Sequence, residues 1–378
     1  MKLLKCLELI IMTIVTFLFI SCAGESNNQD MSYESNNQDM VYKLNLPELK
    51  LNPIYMPKPK SNSTIYYAYD VSQLTKNNPW SETDIIEMLP VFENKIYYNK
   101  EGNIIGKRMT TDEGIKKAEE FASIASVTID SINMESFDVD LIDMIKYIQA
   151  DCEYMTIHIG EDGVNSVIFK HGELLQENIK FGFFNANEYD TITALYYLSS
   201  KYAYFFDIED LVPAVRSVYT NDGKVVFNPL TYKKGGNLIE NILNYNFNML
   251  LFMPSIENNK LQSIIHYQTD LSQKIGDYPI IDIHQAKNLL LQGNFISTNT
   301  FETLLPNEYN IAGIELTYKF NGDYTCTNIN ILIPYYCFYI EVPLEMLDET
   351  QIPIVDGLKA YIQFFVPAVE NKYIDVIA

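Results

Sequence analysis

Strand-like runs joined by tight turns constrain the fold of this chain more than any other feature of its sequence. Residues 99–102 form a turn between two such runs, and residues 160–163 and 221–224 repeat the arrangement, each with a glycine. This pattern is typical of β-hairpins. The chain has 28 tyrosines and 20 phenylalanines against one tryptophan, and both residue types favour strands. Because no strand–helix–strand rhythm is visible, the sequence predicts an α+β fold of mainly antiparallel sheet.

Short helices are predicted between the hairpins. Thr110 is a candidate N-cap, and Glu113 completes a capping box with it. Ala118 lies within the apolar periodicity that follows, which has helical spacing. Asp190 and Asp282 each open another segment of this kind.

The order of these elements predicts two folded modules. Hairpin, capped helix and further strands follow one another in both halves of the chain. We therefore expect an N-terminal α+β domain at residues 64–210 and a C-terminal α+β domain at residues 211–378. Each module should consist of mainly antiparallel sheet with a short packed helix.

The first 22 residues follow the order of a bacterial lipoprotein signal. Lys2 and Lys5 precede a nearly continuous apolar run at residues 7–20, and Cys22 comes after a small residue and before a polar segment. This order predicts a signal peptide over residues 1–21 and a lipidated N-terminal Cys22 in the mature protein. Several acyl chains on that cysteine would anchor the protein at a membrane surface.

Two alternatives remain for this segment. A plain secretory signal cut at another position would leave Cys22 as an ordinary cysteine. An uncleaved anchor is disfavoured, because the apolar run is shorter than the ~20 residues that a spanning helix needs and Glu8 lies inside it. The lipoprotein interpretation places the folded region outside the cytoplasm, in a bacterial cell envelope. In a host with two membranes we expect the outer one, because Ala23 provides no acidic retention signal.

A tether is predicted to follow the lipidated cysteine over residues 22–63. Residues 25–33 and 34–42 form a tandem repeat that differs at one position, and prolines are frequent in the stretch after it. Such polar, low-complexity sequence buries too little apolar area to offset the entropy lost on ordering. We expect the repeat to be disordered.

The charge of the chain limits its partners. The formal net charge is −22 at pH 7. An acidic surface repels the phosphates of nucleic acids and the headgroups of anionic lipids. We therefore expect no nucleic-acid partner and membrane contact through the N-terminal lipid alone.

Cysteine usage does not indicate a disulfide scaffold. The cysteines after Cys22 are Cys152, Cys326 and Cys337. An odd number leaves at least one thiol unpaired. Whether any two of them form a disulfide stays open. We favour three buried thiols that act as small apolar side chains.

No catalytic or metal-binding motif is visible in the sequence. Acidic stretches near residues 138–143 and 161–163 do not have the spacing of a calcium loop. None of the histidines has another at metal-ligand spacing, and they are His158, His171, His266 and His284. We expect no metal, no cofactor and no enzyme activity. The alternative is an envelope hydrolase or carbohydrate-active enzyme whose carboxylates are brought together only by the fold.

Aromatic side chains near the C-terminus are a candidate binding surface. Tyr335 and Tyr339 would share one face of a strand, Tyr336 would lie on the other, and Tyr361 belongs to the last predicted strand. Such a surface could bind a peptide or a sugar. The competing interpretation, which we favour, is that these rings form cross-strand pairs inside a sheet core.

The same region carries a family resemblance. Its motifs are residues 244–248, 276–281, 289–294, 334–342 and 366–369. Over about residues 190–375 the chain resembles a group of uncharacterised bacterial lipoproteins. More loosely, it is similar to the C-terminal part of YycH and YycI, extracellular regulators of a cell-wall-sensing histidine kinase. The resemblance implies an α+β module without known catalysis.

These observations predict a lipid-anchored envelope protein with a non-enzymatic binding or regulatory domain. Its expected partner is an envelope protein or a peptide. A hydrolase would need a cleft with converging ionisable groups. A binding module would need an exposed aromatic patch or an open sheet edge.

Overall fold

A computed structural model gives the fold of the chain. It describes residues 21–22, 46–54, 65–99, 103–106, 108–139, 142–161, 163–182, 187–255, 259–297, 304–318 and 328–376. The α-helices within these ranges are α1 (Ser72–Thr75), α2 (Thr111–Ala125), α3 (Glu188–Tyr202), α4 (Leu238–Phe247) and α5 (Ile283–Leu291). Short 3-10 helices lie at Ala203–Phe206, Leu344–Met346 and Asn371–Tyr373.

Strands make up most of the remaining described chain. They are β1 (Ser21–Cys22), β2 (Leu49–Leu51), β3 (Tyr66–Ala68), β4 (Met88–Glu93), β5 (Ile96–Tyr98), β6 (Ile104–Gly106), β7 (Ile129–Val139), β8 (Ile142–Cys152), β9 (Met155–Gly160), β10 (Asn165–Leu174), β11 (Leu211–Tyr219), β12 (Val225–Lys233), β13 (Asn248–Pro254), β14 (Lys260–Asp270), β15 (Lys274–Pro279), β16 (Ile296–Ser297), β17 (Ile311–Thr317), β18 (Ile331–Leu332), β19 (Tyr335–Glu341), β20 (Lys359–Pro367) and β21 (Ile374–Val376).

One large sheet organises the described residues. Its strand order is β17-β19-β20-β3-β11-β12-β13-β14-β10-β9-β8-β7, with β1 beside β14 and β16 beside β20. Three smaller sheets join β15-β4-β18, β2-β21 and β5-β6. The pairings are antiparallel except β1 with β14 and β2 with β21. The fold is therefore α+β with mainly antiparallel sheet, as predicted.

Local capping chemistry sets the helix starts. Thr110 caps α2, and the Glu113 carboxylate accepts a hydrogen bond from the Thr110 amide at 2.7 Å, so the predicted capping box is confirmed. Asp282 caps α5, also as predicted. Helix α3 begins earlier than predicted: Asn187 is its N-cap and accepts from the amide of Asp190 at 2.8 Å. An Asn side chain competes well with Asp for this position.

Most predicted hairpins are present, but one long hairpin was not predicted. Strand β5 pairs with β6, β9 with β10 and β11 with β12, each in an antiparallel hairpin. Strands β7 and β8 pair over eleven residues each. Register shifts interrupt β7 near both ends. Each bulge changes which residues share a face, so the period-two pattern is broken in the sequence.

Two large apolar clusters occupy different parts of the fold. One lies beneath α2 and α3 and contains side chains of β8, β9, β10, β13 and β14. The other lies on one face of β17, β19 and β20 and is covered by α5. A third cluster packs on the opposite face of the same three-strand region.

Strand pairing is continuous across the boundary predicted between residues 210 and 211. Strand β10 pairs with β14, β3 lies between β20 and β11, and β4 lies between β15 and β18. Residues on either side of the predicted boundary therefore share the same sheets. A sequence pattern reports neighbouring elements, whereas these contacts join residues far apart in the chain.

The predicted signal peptide and the repeat of the tether lie almost wholly outside the described residues. Only the backbone of Ser21–Cys22 is described, as the strand β1. Within the later part of the predicted tether, β2 pairs with β21 and Leu49 is buried. None of the described helices is long and apolar enough to cross a membrane.

Candidate functional site

The four tyrosines predicted as a candidate binding surface lie in the core. Tyr335, Tyr336, Tyr339 and Tyr361 are each at most 3% exposed. Tyr336 lies in the cluster under α5, and the other three lie in the cluster on the opposite face. The surface interpretation is therefore wrong, and the cross-strand core interpretation describes these rings. Both faces of their strands are covered, which the local sequence does not reveal.

Tyr339 belongs to a buried polar cluster around an ion pair. Its hydroxyl donates to Oε1 of Glu315 at 3.0 Å, and Nη2 of Arg216 donates to Oε2 of the same carboxylate at 2.9 Å. The Tyr245 hydroxyl accepts from Nε of Arg216 at 3.0 Å, and Nε2 of Gln363 donates to the Tyr339 hydroxyl at 2.9 Å. The cluster thus connects β11 and α4 with β17, β19 and β20.

Burial and neighbouring polar groups determine the charge states of Arg216 and Tyr245. Burial lowers the pKa of Arg216, but the Glu315 carboxylate together with Tyr245 and Tyr339 outweighs burial and leaves that pKa well above its ordinary value. Burial raises the pKa of Tyr245 to about 12, so its hydroxyl stays protonated at neutral pH. Glu315 is 0% exposed, and the Arg216 side chain is 14% exposed. We interpret the cluster as a tertiary link, because a carboxylate without solvent access offers no site for a substrate.

The described histidines and cysteines are not grouped as metal ligands. Within the described ranges, no group of three or more His, Cys, Asp or Glu side chains is placed to hold a metal ion. Burial lowers the pKa of His158 to about 4 and that of His266 to about 3, so both rings are neutral at pH 7. Cys152 and Cys337 are free, buried thiols, and Cys326 lies outside the described residues.

The two ends of the large sheet differ in how they are covered. At one end, Nδ2 of Asn78 donates to the carbonyl of Leu316 in β17 at 3.0 Å. A Cβ atom at Gly313 of the same strand would lie 2.8 Å from Cγ2 of Val71, so the chain near α1 packs closely against β17. At the other end, β7 pairs with β8 alone among the described strands. That edge presents unpaired backbone N–H and C=O groups.

A groove of about 500 Å³ lies between β7 and α2. Its apolar lining comes from Ala122, Val127, Ile129 and Ile132, and its polar lining from Glu119, Ser123, Asp130 and Ser131. The groove is an open depression along the unpaired strand. Carboxylates, hydroxyls and apolar side chains thus share its lining.

Local structure explains why β7 runs beside α2. Ser126 ends the helix in a left-handed conformation with φ 56°, and the amide of Val127 donates back to the carbonyl of Ala122 at 2.9 Å. The chain therefore reverses within a few residues and enters β7. Gly114 allows α2 to approach the sheet, because a Cβ atom there would lie 2.7 Å from Cγ1 of Ile148.

Comparisons with known proteins leave the function open. No family model and no curated protein matches the chain. Among solved structures, it is similar to an uncharacterized protein from Eubacterium rectale ATCC 33656 at 12% sequence identity. The match covers 74% of this chain and 82% of that chain, with a TM-score of 0.36. A likeness at this level supports no inference about function.

Proposed function

We propose that this protein is a lipid-anchored, non-enzymatic binding protein of the bacterial cell envelope. Its ligand is an extended segment of a partner protein, which adds as a strand to β7 and fills the groove beside α2. The open edge of β7 next to that groove is the observation that carries the proposal. Regulation of the partner is the role that fits the resemblance to envelope regulators.

Strand addition suits the dimensions of this edge. Strand β7 has eleven residues, which corresponds to roughly 36 Å of extended chain. Main-chain hydrogen bonds to such an edge provide affinity, and pockets for alternate side chains provide specificity. Met134 in β7 is 57% exposed, so an apolar side chain is available to a ligand at this edge. The groove supplies the adjacent apolar surface.

A pair of adjacent proline substitutions tests the use of this edge. Successive N–H groups of a strand point to opposite sides, so Asn133→Pro and Met134→Pro remove one group that faces β8 and one that faces the open edge. One of the two variants loses the N–H group that faces the open edge. It should bind peptides selected on the wild-type protein about tenfold more weakly, because it lacks one hydrogen bond to the ligand and its proline ring obstructs the added strand. Its unfolding free energy should fall less than that of the other variant.

The ligands for this test are extended peptides selected from a random display library on the full-length protein in detergent. Hydrogen exchange should show protection of β7 amides when a selected peptide binds. Tyr309→Ala, a change at an exposed residue of another loop, is the matched control and should bind normally. Unchanged affinity in both proline variants, together with unchanged exchange in β7, would reject the proposal.

The lipid anchor has its own test. Mass spectrometry of the mature N-terminus should show cleavage before Cys22 and acyl chains on that residue. The Cys22→Ala variant should leave the membrane fraction, because it lacks the acyl chains and its acidic charge is repelled by anionic headgroups. An unmodified Cys22, or a Cys22→Ala protein that stays membrane-bound, would contradict the anchoring.

A further inference from the structure

We propose that the segment accepted by β7 alternates apolar side chains with lysine or arginine. This inference rests on the proposed function and adds the chemistry of the ligand. It follows from the two faces of the sheet at β7 and from the charge around the groove.

The face of β7 towards α2 selects apolar side chains. Ile132 lies opposite Ala150, and Met134 lies opposite Ile148. Both partner residues are buried in the cluster under α2, and Ile132 packs against the same cluster. An added strand continues the pleat of the sheet, so every second side chain of the ligand faces this side. Apolar side chains at those positions would cover the groove floor.

The opposite face of β7 is polar and acidic. Asn133 lies opposite Gln149, and Glu135 lies opposite Tyr147. Asp151 accepts hydrogen bonds from Nε2 of Gln149 at 3.1 Å and from the Thr156 hydroxyl at 2.9 Å. The bond from Gln149 is the largest cause of its lowered pKa, so Asp151 is ionised at neutral pH.

Acidic residues around β7 and α2 favour basic side chains in the ligand. Residues 111–139, which contain α2 and β7, include seven acidic residues and two basic ones. Glu119 and Asp130 line the groove itself. A second copy of β7 would bring like charges together, and the chain's own repeat at residues 25–42 has four acidic residues and no basic one. The acidic edge repels a second copy of β7 and the repeat, whereas a basic segment of a partner protein is complementary to it in charge.

Synthetic peptides separate the features of the ligand. Three peptides of about eight residues are compared on the full-length protein: alternating Val and Lys, alternating Val and Glu, and a Val/Lys peptide of equal composition in two blocks. Affinity should be at least about tenfold higher for alternating Val/Lys than for either other peptide. The preference for Val/Lys over Val/Glu should weaken with added salt, because exposed charges are screened.

Charge reversal on the protein provides the second arm of the test. Glu135→Lys should reduce the preference for Val/Lys over Val/Glu by about tenfold. Glu349→Lys changes the net charge equally, in an exposed loop after β19, and should keep the preference.

Equal affinity for Val/Lys and Val/Glu, with β7 amides protected by both, would overturn this inference and leave strand addition intact. Binding of the blocked peptide as tightly as the alternating one would overturn the alternation. Self-association through β7 would overturn the basic partner.

Discussion

The Glu315→Gln variant should lose about 3–5 kcal/mol of unfolding free energy, because a buried guanidinium then lacks its counter-charge. Arg216 donates to the Glu315 carboxylate, and Tyr339 donates to its other oxygen. An amide keeps the shape of the side chain but provides only one acceptor oxygen. Urea unfolding at constant pH measures the loss.

Two further variants identify the cause of that loss. Glu341→Gln removes one partner of an exposed ion pair with Lys359, between β19 and β20, and should cost less than about 1 kcal/mol. The double variant Arg216→Met with Glu315→Leu should recover much of the stability, because no unpaired charge remains in the core. A Glu315→Gln protein as stable as the Glu341→Gln control would show that the cluster does not connect the fold energetically.

Acidification should destabilise the protein through two histidines, the buried His266 and the half-buried His158. Burial depresses the pKa of His158 to about 4, partly opposed by Asp151, and that of His266 to about 3, aided by Lys117. The unfolded chain takes up protons near its ordinary pKa of about 6.5, whereas the folded chain does not. The stability contributed by neutral histidine is therefore complete above about pH 6.5 and is lost as the pH falls towards each folded-state pKa.

Substitution of each histidine measures its contribution to the pH dependence of the unfolding free energy. Each histidine should account for up to about 2–3 kcal/mol of the stability lost between about pH 7 and pH 4.5. His158→Gln and His266→Gln should each reduce the pH dependence of the unfolding free energy by that amount, measured with urea at both pH values. The same change at exposed His171 is the control. A pH dependence equal to wild type in both variants would contradict the neutral state of these rings in the folded protein.

Local sequence patterns predicted the elements whose cause is local. The capping box of Thr110 and Glu113, the cap at Asp282 and the glycine-containing hairpin turns are satisfied by residues within a few positions of each other. Their hydrogen bonds do not depend on the rest of the fold. The α+β class followed from the number of these hairpins.

The sequence gave no decisive signal where distant segments decide the outcome. The Tyr335 and Tyr339 rings are buried because side chains of a second sheet, such as Val91 of β4 and Tyr278 of β15, pack against a face that the strand pattern alone leaves undefined. Arg216 and Glu315 are ninety-nine positions apart, so no spacing rule could join them. Bulges in β7 hid its alternation, and with it the candidate binding edge.

The sequence by itself determined the α+β class, the glycine-containing hairpin turns, the caps at Thr110 and Asp282, the acidic charge and the lipoprotein-like start of this protein. Only the tertiary structure decided which aromatic side chains are buried, which charges pair in the core and which sheet edge stays open. The first group depends on interactions between near neighbours in the chain. The second depends on burial and on strand partners, which are set when residues hundreds of positions apart, such as those of β2 and β21, meet in the fold.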